Sequence, residues 1–166
     1  MKKRVVVTGL GIVAPNGIGG ESYEQALREG RSGIRYVPEM AERGFACQVA
    51  GIPPDFASIL ERYFPNHELL SVNDNVGYAA VAALEAWRDA GFRVPAFDED
   101  CVDWDTGAII GSGIGGIETI SRIVVPMVNE GKVRRLGSRI VEQVMASGAS
   151  AMVAGLLALG NQVTAN

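Results

Sequence analysis

The uncharged stretch at residues 144–160 places the strongest constraint on the fold of this chain. It contains no aspartate, glutamate, lysine or arginine, and many of its residues are small. A helix that is apolar on all sides belongs either in a membrane or at the centre of a large core. A membrane span needs about 20 predominantly apolar residues, which this stretch does not reach. We therefore expect residues 139–159 to include a central helix that is covered on every side.

Two explanations account for the cover that such a helix needs. One is a homodimer that buries the face, and the other is a C-terminal half that follows residue 166. We favour the second, together with dimerisation, because the strand expected at residues 162–165 stops in the middle where the sequence ends.

The rest of the chain alternates between strand and helix patterns. A β-branched run at residues 4–8 has the composition of a strand buried on both faces. Further strands are predicted at residues 106–111 and 162–165, and helices at residues 21–29, 74–90 and 117–129. Residues 31–70 are expected to be surface loop apart from a short strand at 45–49 and a helical turn at 57–64. This alternation indicates an α/β layered fold.

The helix at residues 74–90 has the clearest boundaries. Asn73 or Asp74 is available as the N-cap, and Gly91 is the expected C′ residue. Its interior is rich in alanine, so neighbouring segments can approach it closely.

Charge argues against nucleic acid as a partner. The net charge is −4 and the isoelectric point is about 5.0, so the chain offers no field that would neutralise phosphates. One basic cluster is present: Lys132, Arg134 and Arg135, with Arg122 and Arg139 nearby. It is either a solvated loop or a contact for an acidic partner.

The cysteines and the N-terminus indicate a cytoplasmic protein. Cys47 and Cys101 are the only cysteines, and we expect both to be reduced thiols without a nucleophilic role, since acidic neighbours disfavour a thiolate at Cys101. The basic start resembles a signal peptide, but glycines and Pro15 interrupt the apolar run that follows. No membrane association is predicted.

The glycines Gly111, Gly113 and Gly116 match a dinucleotide-binding pattern between a strand and a helix. The pattern begins far into the chain, and no second strand with a terminal acidic residue follows about 20 residues later. We therefore favour a packing role for these glycines and expect no cofactor.

Other motifs do not assemble a catalytic or metal site. The carboxylates between Asp98 and Asp105 lack calcium-loop spacing, so no metal is expected. His67 is the only histidine and has the surroundings of a solvated surface residue, so no residue set for nucleophilic catalysis can be built from this chain.

Several stretches in the correct order resemble the elongating β-ketoacyl-acyl-carrier-protein synthases, and together they span essentially the whole chain. They are residues 5–13 with Asn16 and Gly17, residues 27–34, Asp74 with Tyr78 and Ala79, residues 89–91, residues 110–116 and residues 145–150. The resemblance implies a thiolase-like layered αβαβα fold, of which residues 1–166 are the N-terminal half.

The resemblance also implies the chemistry and the partners. The family condenses an acyl thioester with malonyl-carrier protein, using a cysteine at a helix N-terminus and two histidines, and none of these can be assigned to a position of this chain. It implies acyl-pocket positions at Ile110, Arg139 and Ile140. It further implies a homodimer or related heterodimer, with Gln162, Val163 and Thr164 at the dimer interface, and acyl carrier protein as a partner.

This chain departs from the family pattern in two places. Residues 65–70 lack the usual basic side chains, and Arg139 and Glu142 stand where apolar or aromatic residues are more common. Charges in a pocket wall would penalise a long alkyl chain. Two alternatives stay open at this point: a non-catalytic subunit resembling a chain-length factor, and a stand-alone dinucleotide-binding module.

Overall fold

The computed structural model describes residues 3–64, 72–96 and 99–165. The strands are β1 (Val13–Ala14), β2 (Gly17–Ile18), β3 (Ile34–Tyr36), β4 (Val49–Gly51), β5 (Ala108–Ile110) and β6 (Val163–Ala165). The helices are α1 (Gly20–Arg28), α2 (Pro38–Glu42), α3 (Phe56–Tyr63), α4 (Asp74–Asp89), α5 (Ile117–Thr119), α6 (Val125–Asn129), α7 (Arg139–Val144) and α8 (Gly148–Leu156). A π-helical segment, Ile120–Val124, joins α5 to α6, and a 3-10 turn lies at Val133–Arg135.

The described strands form three two-stranded sheets. Strands β1 and β2 pair antiparallel, as do β3 and β4, with Ile34 opposite Gly51. Strands β5 and β6 pair in parallel, with Ala108 opposite Val163 and Ile110 opposite Ala165. Because parallel pairing requires a crossover, the chain between β5 and β6 passes over one face of this sheet and supplies α8.

The core lies where α4 and α8 pack against each other and against β5. Leu84, Ala108, Val153 and Leu157 are buried together in one cluster. As predicted, Asn73 caps α4, since its side chain accepts a hydrogen bond from the Val76 N–H, and Gly91 follows the helix at φ +82°. The alanine-rich face permits the close approach of α8.

The prediction of a buried strand at residues 4–8 was wrong for the described chain. These residues form no strand, and Val5 is 95% exposed. The following residues dock on α4 instead of on a strand: the Leu10 N–H donates to Asp89 and the Ile12 N–H to Glu85. A β-branched run favours extended backbone, but only a neighbouring strand edge converts it into a sheet.

The prediction that residues 31–70 are mostly loop was also incomplete. Strand β3 and helix α2 were missed, and the strand expected at residues 45–49 is Val49–Gly51. The expected helical turn at residues 57–64 is confirmed as α3. Three-residue strands carry too few residues for an alternating pattern to be recognised.

The uncharged segment is not one central helix covered on all sides. Met145 adopts an extended conformation that separates α7 from α8, and the Gly148 N–H then donates to the Met145 carbonyl. Within the described residues, Ala149, Ser150, Val153 and Ala154 are buried, whereas Ala151 and Gly155 are exposed. In the parts of the chain that the structure describes, no helix is both long and apolar enough to cross a lipid bilayer.

Candidate functional site

The first turn of α4 connects the glycine loop after β5 with the end of α7. The Asn75 amide donates to the Ser112 hydroxyl over 3.1 Å, and this hydroxyl donates to the Ile114 carbonyl over 3.1 Å. The Asn73 amide donates to the Gln143 carbonyl over 2.8 Å. The buried Thr119 hydroxyl donates to the Gln143 side-chain oxygen over 3.2 Å. Polar side chains thus hold α4, the glycine loop, α5 and α7 together at this junction.

Packing requires glycine at two positions of the loop, Gly115 and Gly116, so the predicted packing role is confirmed for Gly116 and not for Gly113. A Cβ at Gly115 would lie 2.5 Å from the Val144 carbonyl oxygen. A Cβ at Gly116 would overlap the Gln143 carbonyl oxygen, and Gly116 also has a φ of +55°. By contrast, a Cβ at Gly113 would meet no atom within 4 Å. Two of the glycines therefore bring the backbones of the loop and of α7 into direct contact.

The residues expected in an acyl pocket lie on both sides of this contact. Ile110 ends β5 and packs, half-buried, against the core cluster. Arg139 and Ile140 begin α7, with Arg139 exposed and Ile140 half-buried. The loop that follows Ile110 touches the opposite end of α7, so the structure brings the two segments together through backbone contacts and not through these three side chains.

The residues expected at a dimer interface lie at the far end of the described chain. Gln162 precedes β6, and Val163 and Thr164 lie within it. Strand β6 pairs with β5. Val163 is 40% exposed.

A groove of about 740 Å³ runs along the exposed side of α8. Ala151, Gly155 and Met152 line it from α8, and Phe64 and Val94 line it from other segments. Arg88, Glu99 and Glu142 add charges to its lining. Ile110, Arg139 and Ile140 do not line this groove.

A second cavity of about 360 Å³ lies beside the N-terminus of α4. Burial raises the pKa of the Asp74 carboxyl, the Glu118 carboxylate raises it further, and Arg122 lowers it. Glu118 and Arg122 form an ion pair one helical turn apart. The cavity therefore combines two acidic groups with one guanidinium that is already paired.

Cys47 and Cys101 are both free thiols. Burial raises the pKa of the Cys101 thiol, and the neighbouring Glu99 carboxylate raises it further, so the thiolate is disfavoured as expected. Cys47 is exposed. Among the described residues, no three His, Cys, Asp or Glu side chains lie close enough to hold a metal ion. His67 and Asp98 lie outside the described residues.

The side-chain network at this junction is not predicted by any sequence pattern. Asn73 was identified only as a helix cap, and Asn75, Ser112, Thr119 and Gln143 were assigned no role. The two asparagines at the start of α4, Asn73 and Asn75, were the one available signal, because asparagine both caps a helix and donates from its amide.

Comparison with known proteins gives one consistent result. A family model described as the N-terminal domain of beta-ketoacyl synthase matches residues 2–164. A 3-oxoacyl-(acyl-carrier-protein) synthase 2 from Coxiella burnetii is 31% identical over 155 residues, which cover 92% of this chain and 35% of the relative. The tetracenomycin polyketide synthase ketoacyl synthase beta subunit from Streptomyces glaucescens is 37% identical over 114 residues, which cover 69% of this chain and 26% of the relative.

The structural comparison agrees. A beta-ketoacyl synthase from Burkholderia phymatum superposes with a TM-score of 0.79 at 29% identity, covering 98% of this chain and 39% of that one. This overlap confirms the predicted thiolase-like α/β fold. The chain spans about a third of the length of the curated relatives that it matches.

Proposed function

This chain belongs to the β-ketoacyl synthase family, and we propose that residues 1–166 are the N-terminal half of a 3-oxoacyl-acyl-carrier-protein synthase. The observation that carries the proposal is the family match over nearly the whole chain, supported by the superposition on a β-ketoacyl synthase. The proposed enzyme acts in fatty-acid or polyketide synthesis.

The proposed reaction is a decarboxylating Claisen condensation. In this proposal the acyl group is first held as a thioester on a cysteine of a C-terminal half, outside residues 1–166. Malonyl-carrier protein then loses carbon dioxide, and the electron pair left at its C2 attacks the acyl carbonyl carbon. The new carbon–carbon bond forms as the thioester carbon–sulfur bond breaks, which releases the cysteine sulfur and leaves a 3-oxoacyl-carrier protein. Residues that stabilise the developing enolate and oxyanion supply much of the rate enhancement in such reactions.

In this proposal residues 1–166 contribute side chains to the acyl pocket and to the dimer interface. Ile110 lies at the end of β5 directly before the glycine loop, a position that suits a gate to the acyl pocket. In this proposal Arg139 and Ile140, at the start of α7, line the acyl pocket of the other subunit in a dimer. The strand that includes Val163 and Thr164, preceded by Gln162, pairs with its two-fold mate in this proposal.

The basic cluster is the proposed contact for the acidic carrier protein. Arg134 and Arg135 are exposed in the 3-10 turn, and Lys132 is paired with Glu130. Exposed guanidinium groups attract acidic partners at long range and form paired hydrogen bonds with carboxylates. We place the enzyme in the cytoplasm as a homodimer.

The chain by itself is expected to have no condensing activity, because the proposed nucleophile and histidines belong to the proposed C-terminal half. The measurement is formation of 3-oxoacyl-carrier protein from acyl- and malonyl-carrier proteins, with the full-length protein as the positive control. Turnover by the isolated chain would contradict the assignment of the catalytic groups, and inactivity of the full-length protein would contradict the proposed function.

Replacing Ile110 by phenylalanine in the full-length protein is expected to shorten the accepted acyl chain, because the larger ring occupies the mouth of the pocket. Decarboxylation of malonyl-carrier protein should continue. Product lengths, measured by mass spectrometry, should remain unchanged in the control Val128→Phe, since Val128 is an exposed residue of α6. An identical product profile for the wild type and Ile110→Phe would remove Ile110 from the pocket.

A second candidate function is a non-catalytic partner subunit. The similarity to a ketoacyl synthase beta subunit favours it. The coding sequence that follows residue 166 distinguishes the two, because a cysteine there supports catalysis and a glutamine or another residue supports the partner role.

A further inference from the structure

The two segments proposed for the acyl pocket share an anchor on α4. Asn75 is hydrogen-bonded to Ser112, two residues after Ile110, and Asn73 is hydrogen-bonded to the Gln143 carbonyl near the end of α7. Both asparagines belong to the same helical turn, since Asn73 is the N-cap of α4. A displacement of either segment must therefore break a hydrogen bond to that turn.

The loop needs such an anchor because its first half is otherwise loosely packed. A Cβ at Gly113 would meet no atom within 4 Å, whereas Gly115 and Gly116 press directly on the backbone of residues 143–146. The second half of the loop is thus held by packing. The first half is held by the Ser112 hydroxyl, which accepts from Asn75 and donates to the Ile114 carbonyl. Glycine-rich backbone has many accessible conformations, so a single side-chain anchor has a large effect on its direction.

Helix α7 also depends on hydrogen bonds to other segments to stay in place. It comprises six residues, and its N-cap residue, Ser138, makes no capping hydrogen bond through its side chain. Helices this short are marginal unless tertiary contacts hold them. The Asn73 amide supplies such a contact at the Gln143 carbonyl, and the Thr119 hydroxyl supplies another at the Gln143 side chain.

We propose that Asn75 and Asn73 are positioning residues that set the distance between the Ile110 loop and α7, and thereby the length of acyl chain that the enzyme accepts. The inference rests on the proposed function and adds a determinant of acyl-chain specificity. The Asn75–Ser112 pair is the more testable half, because Asn75 does not cap the helix.

The test uses the full-length protein with Ser112→Ala and, separately, Asn75→Ala. KM and kcat are measured with acyl-carrier proteins of graded chain length. Loss of one hydrogen bond is expected to raise KM for the longest accepted chain about fivefold relative to the shortest, with a smaller change in kcat. Ser112→Thr, which keeps the hydroxyl, should restore the wild-type ratio.

The matched control is Ser32→Ala. This change also removes one hydrogen bond of a serine hydroxyl, which accepts from the Ile34 N–H at the start of β3, and Ser32 does not line the cavity beside Asn73 and Asn75. It should leave the chain-length dependence of KM unchanged. A general loss of stability would change KM for acyl chains of every length to the same extent, and Ser112→Thr would not selectively restore KM for the longest chain.

The outcomes separate the inference from the proposed function. Selective loss in Ser112→Ala and Asn75→Ala with recovery in Ser112→Thr supports the positioning role. An active enzyme whose chain-length dependence is the same in all variants overturns the inference and leaves the proposed function intact. An inactive wild-type protein overturns both.

Discussion

Replacing Gly11 by alanine is expected to destabilise the protein by about 3 kcal/mol, because the added methyl group meets helix backbone that cannot rotate away. A Cβ at this position would overlap the Ala82 carbonyl oxygen and lie 2.7 Å from the Ala86 nitrogen of α4. The overlap can be removed only if the N-terminal segment moves away from α4. That movement breaks the hydrogen bonds from the Leu10 N–H to Asp89 and from the Ile12 N–H to Glu85. Urea unfolding followed by circular dichroism measures the loss.

Gly20→Ala is the control for this change. Gly20 begins α1, and a Cβ there would meet no atom within 4 Å. Its free energy of unfolding should stay within about 0.5 kcal/mol of the wild-type value. Equal unfolding midpoints for the two variants would show that the docking of the N-terminal segment on α4 is not as close as described.

Gly116→Ala is expected to cost a similar amount, about 3 kcal/mol, through two separate effects. The φ of +55° disfavours any residue with a Cβ, and the Cβ would overlap the Gln143 carbonyl oxygen and lie 2.7 Å from the Val144 Cα. The loop and α7 would then be forced apart. In the full-length protein the same change should also disturb the proposed acyl pocket, because the loop directly follows Ile110.

Gly131→Ala separates these two effects. Gly131 has a φ of +70°, but a Cβ there would meet no atom within 4 Å. Gly131→Ala should therefore lower the free energy of unfolding only by the cost of placing a Cβ at a positive φ, about 1 kcal/mol. The difference between the two variants in denaturant unfolding measures the contact of the loop with α7, and a difference of zero would contradict that contact.

Local sequence signals were sufficient where a segment's structure depends on its own residues. The cap at Asn73, the alanine-rich interior and Gly91 predicted α4 almost to its ends. The helix expected at residues 117–129 is confirmed as α5, the π-helical segment and α6 in succession. The resemblance to β-ketoacyl synthases, carried by short motifs in order, identified the family and the fold.

The junction could not be predicted in the same way. Asn75 and Ser112 lie far apart in the chain, and although Ser112 stands within the glycine pattern, no local signal pairs it with Asn75, so only the tertiary packing brings them together. The same holds for the break at Met145, which divides a segment whose composition favoured a continuous helix and lies where the backbone of residues 143–146 is in close contact with Gly115 and Gly116.

The sequence by itself determined helix α4 with its own cap, the α/β alternation and the family, because those depend on residues close together in the chain. The tertiary structure alone decided the docking of residues 9–12 on α4, the division of the uncharged segment and the shared anchor at Asn73 and Asn75. The physical reason is that steric overlap and single hydrogen bonds depend on distances of a few ångströms between remote segments, which no local pattern encodes.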